Sequence, residues 1–159
     1  MRSLKLRQKA LLSIFGLAAG IALAAGCGGS SGGSSTPTPT PTPCTPFTGT
    51  LSNVQTKVFT PTCALTSCHA GSNPAGPGLD LSDTTHILAT ASNVTAQETF
   101  NGGSIKILVP GSSGISYLYL KITDATGIAQ LPMPQTGQLL DSCSIQAVKD
   151  WIDAGMPQN

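Results

Sequence analysis

The sequence is poor in charge and in aromatic side chains. Only 9% of its 159 residues are charged and 4% are aromatic, with a single tryptophan. Four of the basic residues, Arg2, Lys5, Arg7 and Lys9, stand at the very start, which leaves four lysines against seven acidic residues in the rest of the chain. Because that remainder has no basic patch, the electrostatic attraction that drives nucleic-acid binding is missing, and we expect no nucleic-acid partner.

Histidines and long apolar runs are also scarce, and each scarcity excludes a class of site. The two histidines, His69 and His86, offer few catalytic bases for a hydrolase, and residues 111–114 are one residue short of a nucleophile-elbow motif. The longest apolar run, residues 10–25, is short for a helix that spans a membrane.

The first 26 residues are typical of a bacterial export signal. A positively charged start precedes the apolar run, and small residues then lead directly to Cys27. This junction resembles the lipobox of bacterial lipoproteins, where the signal is removed and the new N-terminal cysteine is acylated. The resemblance implies an exported protein that is anchored to a bacterial membrane by lipid on Cys27, facing the periplasm or the cell surface. An ordinary secretory signal is the alternative.

A linker separates this anchor from one folded domain. Residues 28–35 are a flexible Gly/Ser run, and residues 36–43 are Thr-Pro repeats that favour extended polyproline II structure. We therefore divide the chain into a signal peptide (1–26), a lipid anchor with its linker (27–46) and a folded domain (47–159).

Within the domain, apolar periodicity predicts short helices joined by turn-rich loops, which is an all-α fold. The predicted helices cover residues 52–59, 82–88, 114–122 and 142–154. A Ser-x-x-Gln capping pattern begins the first helix at Ser52, and Pro61 should end it. Asp141 or Ser142 should cap the last helix, which Gly155 should stop. Strand-like alternation is weak, with residues 105–109 as its only instance.

A cysteine–histidine cluster carries the chemistry of the domain. Cys63 and Cys68 are followed directly by His69, in the order Cys-x4-Cys-His. The related pattern Cys-x-x-Cys-His marks covalent haem attachment, in which the cysteines form thioethers with the haem and the histidine ligates the iron. The gap between the cysteines is longer here, so a Cys63–Cys68 disulfide beside a surface histidine is the alternative interpretation.

Around this cluster, the order of several short motifs resembles the small single-haem c-type cytochrome domains of bacterial exported proteins. The matching motifs lie at residues 59–63, 68–71, 78–82, 109–111, 116–118, 133–134 and 151–155. They cover nearly all of residues 50–156 and depart from the family at the longer cysteine gap. The resemblance implies a cytochrome c-like all-α fold around one covalently bound haem c, attached at Cys63, Cys68 and His69.

The resemblance also implies a second axial iron ligand on a separate loop. Met133, between two prolines ahead of the last helix, occupies the place of the family's axial methionine, so we predict His69 and Met133 as the metal ligands. His86 would instead give a bis-histidine site, and Met156 is expected at the surface. Because two axial ligands leave no open position on the iron, the expected role is electron transfer with redox partner proteins, and no enzymatic activity.

Two cysteines besides Cys27 lie outside the Cys-x4-Cys-His cluster. Cys44 and Cys143 have no other assignment, so we predict a disulfide between them.

Zinc would need a fourth ligand beyond Cys63, Cys68 and His69, and a haem peroxidase would need a distal acid or base that the sequence does not identify. The rival function is a surface lipoprotein without haem that is stabilised by two disulfides and serves in protein interactions.

Overall fold

The computed structural model describes residues 43–71 and 78–159. The signal, Cys27 and almost all of the linker lie outside the described residues. The α-helices are α1 (Leu51–Val54), α2 (Thr84–Ala91), α3 (Tyr117–Ile122) and α4 (Ser142–Asp153). The strands are β1 (Thr95–Phe100) and β2 (Gly103–Lys106). A π-helical segment, Gln55–Cys63, continues α1, and a 3-10 turn, Ser113–Ile115, precedes α3. No helix in the described part of the chain is long and apolar enough to cross a membrane.

The predicted all-α, cytochrome c-like fold is wrong, because a two-stranded antiparallel sheet lies between α2 and α3. Exposed and half-buried residues alternate along β1. The half-buried face presents Ala96, Glu98 and Phe100, of which only the last is a typical strand former, so hydrophobic alternation did not reveal the strand. The turn itself is a strong hairpin signal: Asn101 and Gly102 have φ angles of +50° and +76°, which Asn-Gly pairs adopt readily.

The first helix also differs from its prediction. Thr50, not Ser52, caps α1, because its hydroxyl accepts a hydrogen bond from the backbone N–H of Asn53 at 3.2 Å. The helix does not end at Pro61 but continues in π-helical form through Cys63, with Pro61 inside it. Cys63 therefore lies within the helical segment, beyond the predicted helix end at Phe59.

Gln55, at the start of the π-helical segment, hydrogen-bonds this segment to the residues that precede α2. Its side-chain amide donates to the carbonyls of Leu81 and Ser82, both at 3.1 Å. The cap of α2 is Asp83, one residue after the predicted Ser82, and its carboxylate accepts from two backbone N–H groups in the first turn. The charged carboxylate of Asp83 is a stronger hydrogen-bond acceptor for these exposed N–H groups than the hydroxyl of Ser82 would be.

Helix α4 agrees with its prediction and anchors the hydrophobic core. Asp141 caps it by accepting two backbone N–H groups of its first turn. Trp151 is fully buried, and its ring meets Phe59 edge-on with a centroid separation of 6.4 Å. Such a pair contributes about 0.5–1.5 kcal/mol beyond the burial of its area. Met156, predicted at the surface, is also buried in this core, with 5% of its surface exposed.

The predicted disulfide between Cys44 and Cys143 is present, with a Cα–Cα distance of 5.9 Å. It joins the segment before α1 to the first turn of α4. Gly49 lies in the same segment, and a Cβ atom there would collide with the carbonyl of Ala147 in α4. A glycine thus allows the backbone to approach the helix closely, next to the covalent link.

Candidate functional site

A cavity of about 460 Å³ opens beside the end of the π-helical segment. Residues from that segment, from the hairpin and from α3 line it, and its apolar wall includes Phe59, Leu81, Ile107, Leu118 and Ile122. Small-molecule and cofactor sites typically enclose about 300–1,000 Å³ and are lined mainly by apolar side chains. The cavity therefore has the size and the chemical character of a ligand site.

Three of the four predicted cofactor residues line this cavity. Cys63 reaches it from the end of the π-helical segment, His69 from the following loop, and Met133 from the loop between α3 and α4. Cys68 is not among the described residues that line it, and its half-buried thiol lies 3.7 Å from the hydroxyl of Ser67. The fold thus brings together two predicted iron ligands that are far apart in the sequence.

Backbone hydrogen bonds close the four-residue gap between the cysteines into a compact turn. The N–H of His69 donates to the carbonyl of Cys63 at 3.0 Å, and the N–H of Cys68 donates to the carbonyl of Leu65 at 2.8 Å. The carbonyl of His69 in turn accepts from the N–H of Leu81 at 2.8 Å. Because of these bonds, His69 lies next to Cys63 although four residues separate the two cysteines.

Cys63 and Cys68 are both free thiols in the structure. Burial raises the pKa of Cys63; a hydrogen bond with Thr62 opposes this shift, and the nearby Cys68 adds to it. No disulfide joins the two residues. Both remain available for covalent attachment of a ligand.

His69 is half-buried and has an unusual polar environment. Burial lowers its pKa, and the backbone of Leu79 and the charge of Glu98 act in the opposite direction. The neutral imidazole that this shift favours is the form that coordinates a metal. Its Nδ1 atom is buried and has no hydrogen-bond partner among the described residues. Since buried polar atoms nearly always have a partner, this ring is one that a bound group could complete.

The other two candidate ligands lie elsewhere. His86 is exposed on α2, and its Nδ1 atom is 2.6 Å from the carboxylate of Asp83, which raises the pKa of the histidine. Met156 packs in the core. Of the three candidate second ligands, Met133 alone lines the cavity, and its half-buried side chain also packs against the core.

Three polar residues on the cavity wall were not predicted as site residues. The ammonium group of Lys121 is 2.8 Å from the carboxylate of Glu98, and the hydroxyl of Tyr117 donates to the same carboxylate at 2.9 Å. Burial raises the pKa of Tyr117 to about 12, and the bond with Glu98 adds to this shift. The spacing of Tyr117 and Lys121 on one helix face was visible in the sequence, but their partner belongs to a strand that was not predicted.

A second group of ligand atoms belongs to Cys44, Asp141 and Cys143, which lie within 4.8 Å of one another. The two sulfurs are joined to each other in the disulfide. Since metal binding requires thiolates, this group is a structural link in the oxidised protein.

Comparisons with known proteins assign no ligand to the cavity. The resemblance to c-type cytochrome domains, which rests on short motifs, stays a prediction. No protein-family model, no curated protein and no solved structure matches the chain.

Proposed function

We propose that this chain binds one haem c in the cavity and transfers electrons to and from redox partner proteins. In this proposal Cys63 and Cys68 form the thioethers, and His69 and Met133 are the axial ligands. The observation that carries it is the convergence of Cys63, His69 and Met133 on one apolar cavity. Lipid on Cys27 would hold the protein at a bacterial membrane.

The donor groups suit a haem better than another metal group. A neutral imidazole and a thioether are a common pair of haem ligands, and the cavity wall around them is largely apolar. Zinc would require further ligands, and the only other described cluster is engaged in a disulfide. The rival protein without haem was expected to contain Cys63–Cys68 and Cys44–Cys143 disulfides. The second is present, whereas the thiols of Cys63 and Cys68 are free.

The chain's own residues would hold the ligands and exclude water. Backbone hydrogen bonds fix the turn that carries His69, and the N–H of Met133 donates to the carbonyl of Lys121 at 2.9 Å. Apolar side chains such as Phe59, Leu118 and Ile122 line the site, which limits its solvation and favours the less charged ferrous state. A haem bound here would supply a one-electron couple, and two protein ligands would leave its iron without a position for substrate.

Covalent attachment tests the proposal directly. Co-expression with a cytochrome c maturation system should yield a coloured protein that is positive in the pyridine-haemochrome assay and heavier by one haem in its intact mass. His69→Ala, Cys63→Ser and Cys68→Ser should each strongly reduce attachment.

The matched control is His86→Ala, which removes an exposed histidine away from the cavity and should still carry covalently bound haem. A colourless wild-type protein whose Cys63 and Cys68 thiols react with a labelling reagent after maturation would refute the proposal. Cys68→Ser can form at most one thioether with the haem. The intact mass of that variant therefore also shows whether Cys63 alone can hold the haem.

A further inference from the structure

A buried lysine is bonded to the loop that carries Met133 through both its side chain and its backbone. Lys121 is only 5% exposed. Its ammonium group donates to the carbonyl of Ala129 at 2.7 Å and to the carbonyl of Leu131 at 2.8 Å. Its own backbone carbonyl accepts the N–H of Met133 at 2.9 Å. One residue of α3 therefore fixes residues 129–133 at three points.

The charge of Lys121 is fully matched within the protein. Besides the two carbonyls, the ammonium group pairs with Glu98 at 2.8 Å, so that each of its three donor hydrogens has an acceptor. The hydroxyl of Tyr117 reinforces the same attachment, because it accepts the N–H of Ala129 at 3.1 Å while it donates to Glu98.

Burial of an ammonium group is costly in solvation free energy unless close partners offset it, and an apolar side chain of similar size could occupy such a position. The lysine is therefore poorly explained by packing alone. Through its three acceptors, the ammonium group of Lys121 joins strand β1 and the Met133 loop to helix α3. Residues 124–140 contain no helix or strand in the structure, and Leu131 within this loop is 64% exposed. Besides Lys121, the described supports of residues 127–129 are Tyr117 and backbone hydrogen bonds to β1 and its turn, such as the N–H of Ala129 to the carbonyl of Thr99 at 3.2 Å.

We propose that Lys121 is the positioning residue for Met133, holding residues 129–133 so that the thioether stays at the cavity wall. This inference rests on the proposed function, because it assigns the support of one of the two axial ligands. Without the ammonium group the loop would open more often, and Met133 would leave the iron more often.

The test compares Lys121→Met, which keeps the aliphatic stem without the charge, with Lys149→Met. The control lysine lies on α4, is half-buried and pairs with Asp153. In the haem-loaded proteins, Lys121→Met should lose the weak methionine–iron charge-transfer band, bind carbon monoxide faster and show a lower reduction potential. Lys149→Met should match the wild type in all three measurements. Retention of the wild-type band, carbon monoxide rate and potential in Lys121→Met would overturn the inference.

Hydrogen–deuterium exchange gives a second readout that does not require haem. Peptides covering residues 128–137 should exchange about 10-fold faster or more in Lys121→Met, as expected when hydrogen bonds to a charged group are lost, while peptides of α4 exchange as in the wild type. Unchanged exchange at residues 128–137 would overturn the inference. If Lys121→Met does not fold by circular dichroism, Lys121→Gln, whose side chain is too short to reach both carbonyls, decides by the same measurements.

The two proposals fail in different ways. A wild-type protein that never acquires haem would refute the proposed function. The exchange experiment on that haem-free protein would still show whether Lys121 holds the loop.

Discussion

The hydroxyl of Tyr117 donates a hydrogen bond to the carboxylate of Glu98 at 2.9 Å and so joins helix α3 to strand β1. Burial raises the pKa of this tyrosine from 10.0 to about 12, and the bond to Glu98 adds to the shift. Since deprotonation would place two negative charges against each other, the structure depends on the neutral phenol.

This relationship predicts how stability changes at alkaline pH. A folded-state pKa above the unfolded value gives a contribution that is complete below about pH 10 and is lost as the pH rises towards about 12. Tyr117→Phe should lower the free energy of unfolding by roughly 1–2 kcal/mol near neutral pH. Urea titrations over a pH series should show the gap between wild type and variant shrinking above about pH 10. A gap that is unchanged at the highest pH would contradict the assignment.

The two methionines near the last helix should have separable roles. Met133→Ala should keep haem covalently bound, admit carbon monoxide to the iron and lower the reduction potential, because a thioether favours ferrous iron. Met156→Ala should leave the spectrum unchanged, but it should cost about 2–5 kcal/mol of stability because a buried side chain is truncated. Absorption spectra and urea titrations measure both effects. If His86→Ala alters the spectrum and Met133→Ala does not, the site is bis-histidine.

The disulfide should contribute strongly to stability. Cys44 and Cys143 are 99 residues apart, and a loop of that length corresponds to roughly 4–5 kcal/mol in the chain-entropy model, with smaller values common in practice. Urea unfolding of the Cys44→Ser/Cys143→Ser variant should show this loss relative to the oxidised protein. Labelling of both thiols in the native, non-reduced protein would argue against the link.

Lipid anchoring remains a prediction because Cys27 lies outside the described residues. Mass spectrometry of the mature N-terminus should find an acylated Cys27, and Cys27→Ala should move the protein out of the membrane fraction. Cys44→Ala is the matched control and should stay in that fraction. An unmodified N-terminus, or a Cys27→Ala protein that remains with the membrane, would disprove the anchor.

Where local signals were strong, the sequence predicted the structure well. Helix α4 is capped by Asp141, one of its two predicted caps, because a carboxylate oxygen can satisfy the first free N–H groups of a helix without help from the rest of the fold. That His69 and Met133 line one cavity depends on tertiary contacts, because nothing local to either residue fixes it, and their role as iron ligands stays a prediction.

Tertiary contacts decided the features that the sequence did not reveal. Met156 follows a helix stop and looked exposed, yet its N–H donates to the carbonyl of Trp151 at 2.9 Å and the chain turns back into the core. Glu98 escaped notice because its strand is held by the Asn101–Gly102 turn and by cross-strand bonds, which an apolar pattern does not record. The wall of the cavity was therefore the least predictable part of the site.

The π-helical segment sets the direction in which Cys63 points. Its last turn closes with a hydrogen bond from the N–H of Ala64 to the carbonyl of Phe59 at 2.7 Å, a spacing of five residues instead of four. A π turn accommodates one more residue than an α turn, and each residue of an α-helix rotates the chain by about 100°. The phase of the thiol around the helix axis is thus fixed by the number of residues before it. If the same residues formed α turns instead, Cys63 would be rotated about the helix axis relative to the cavity, although no functional group would be removed.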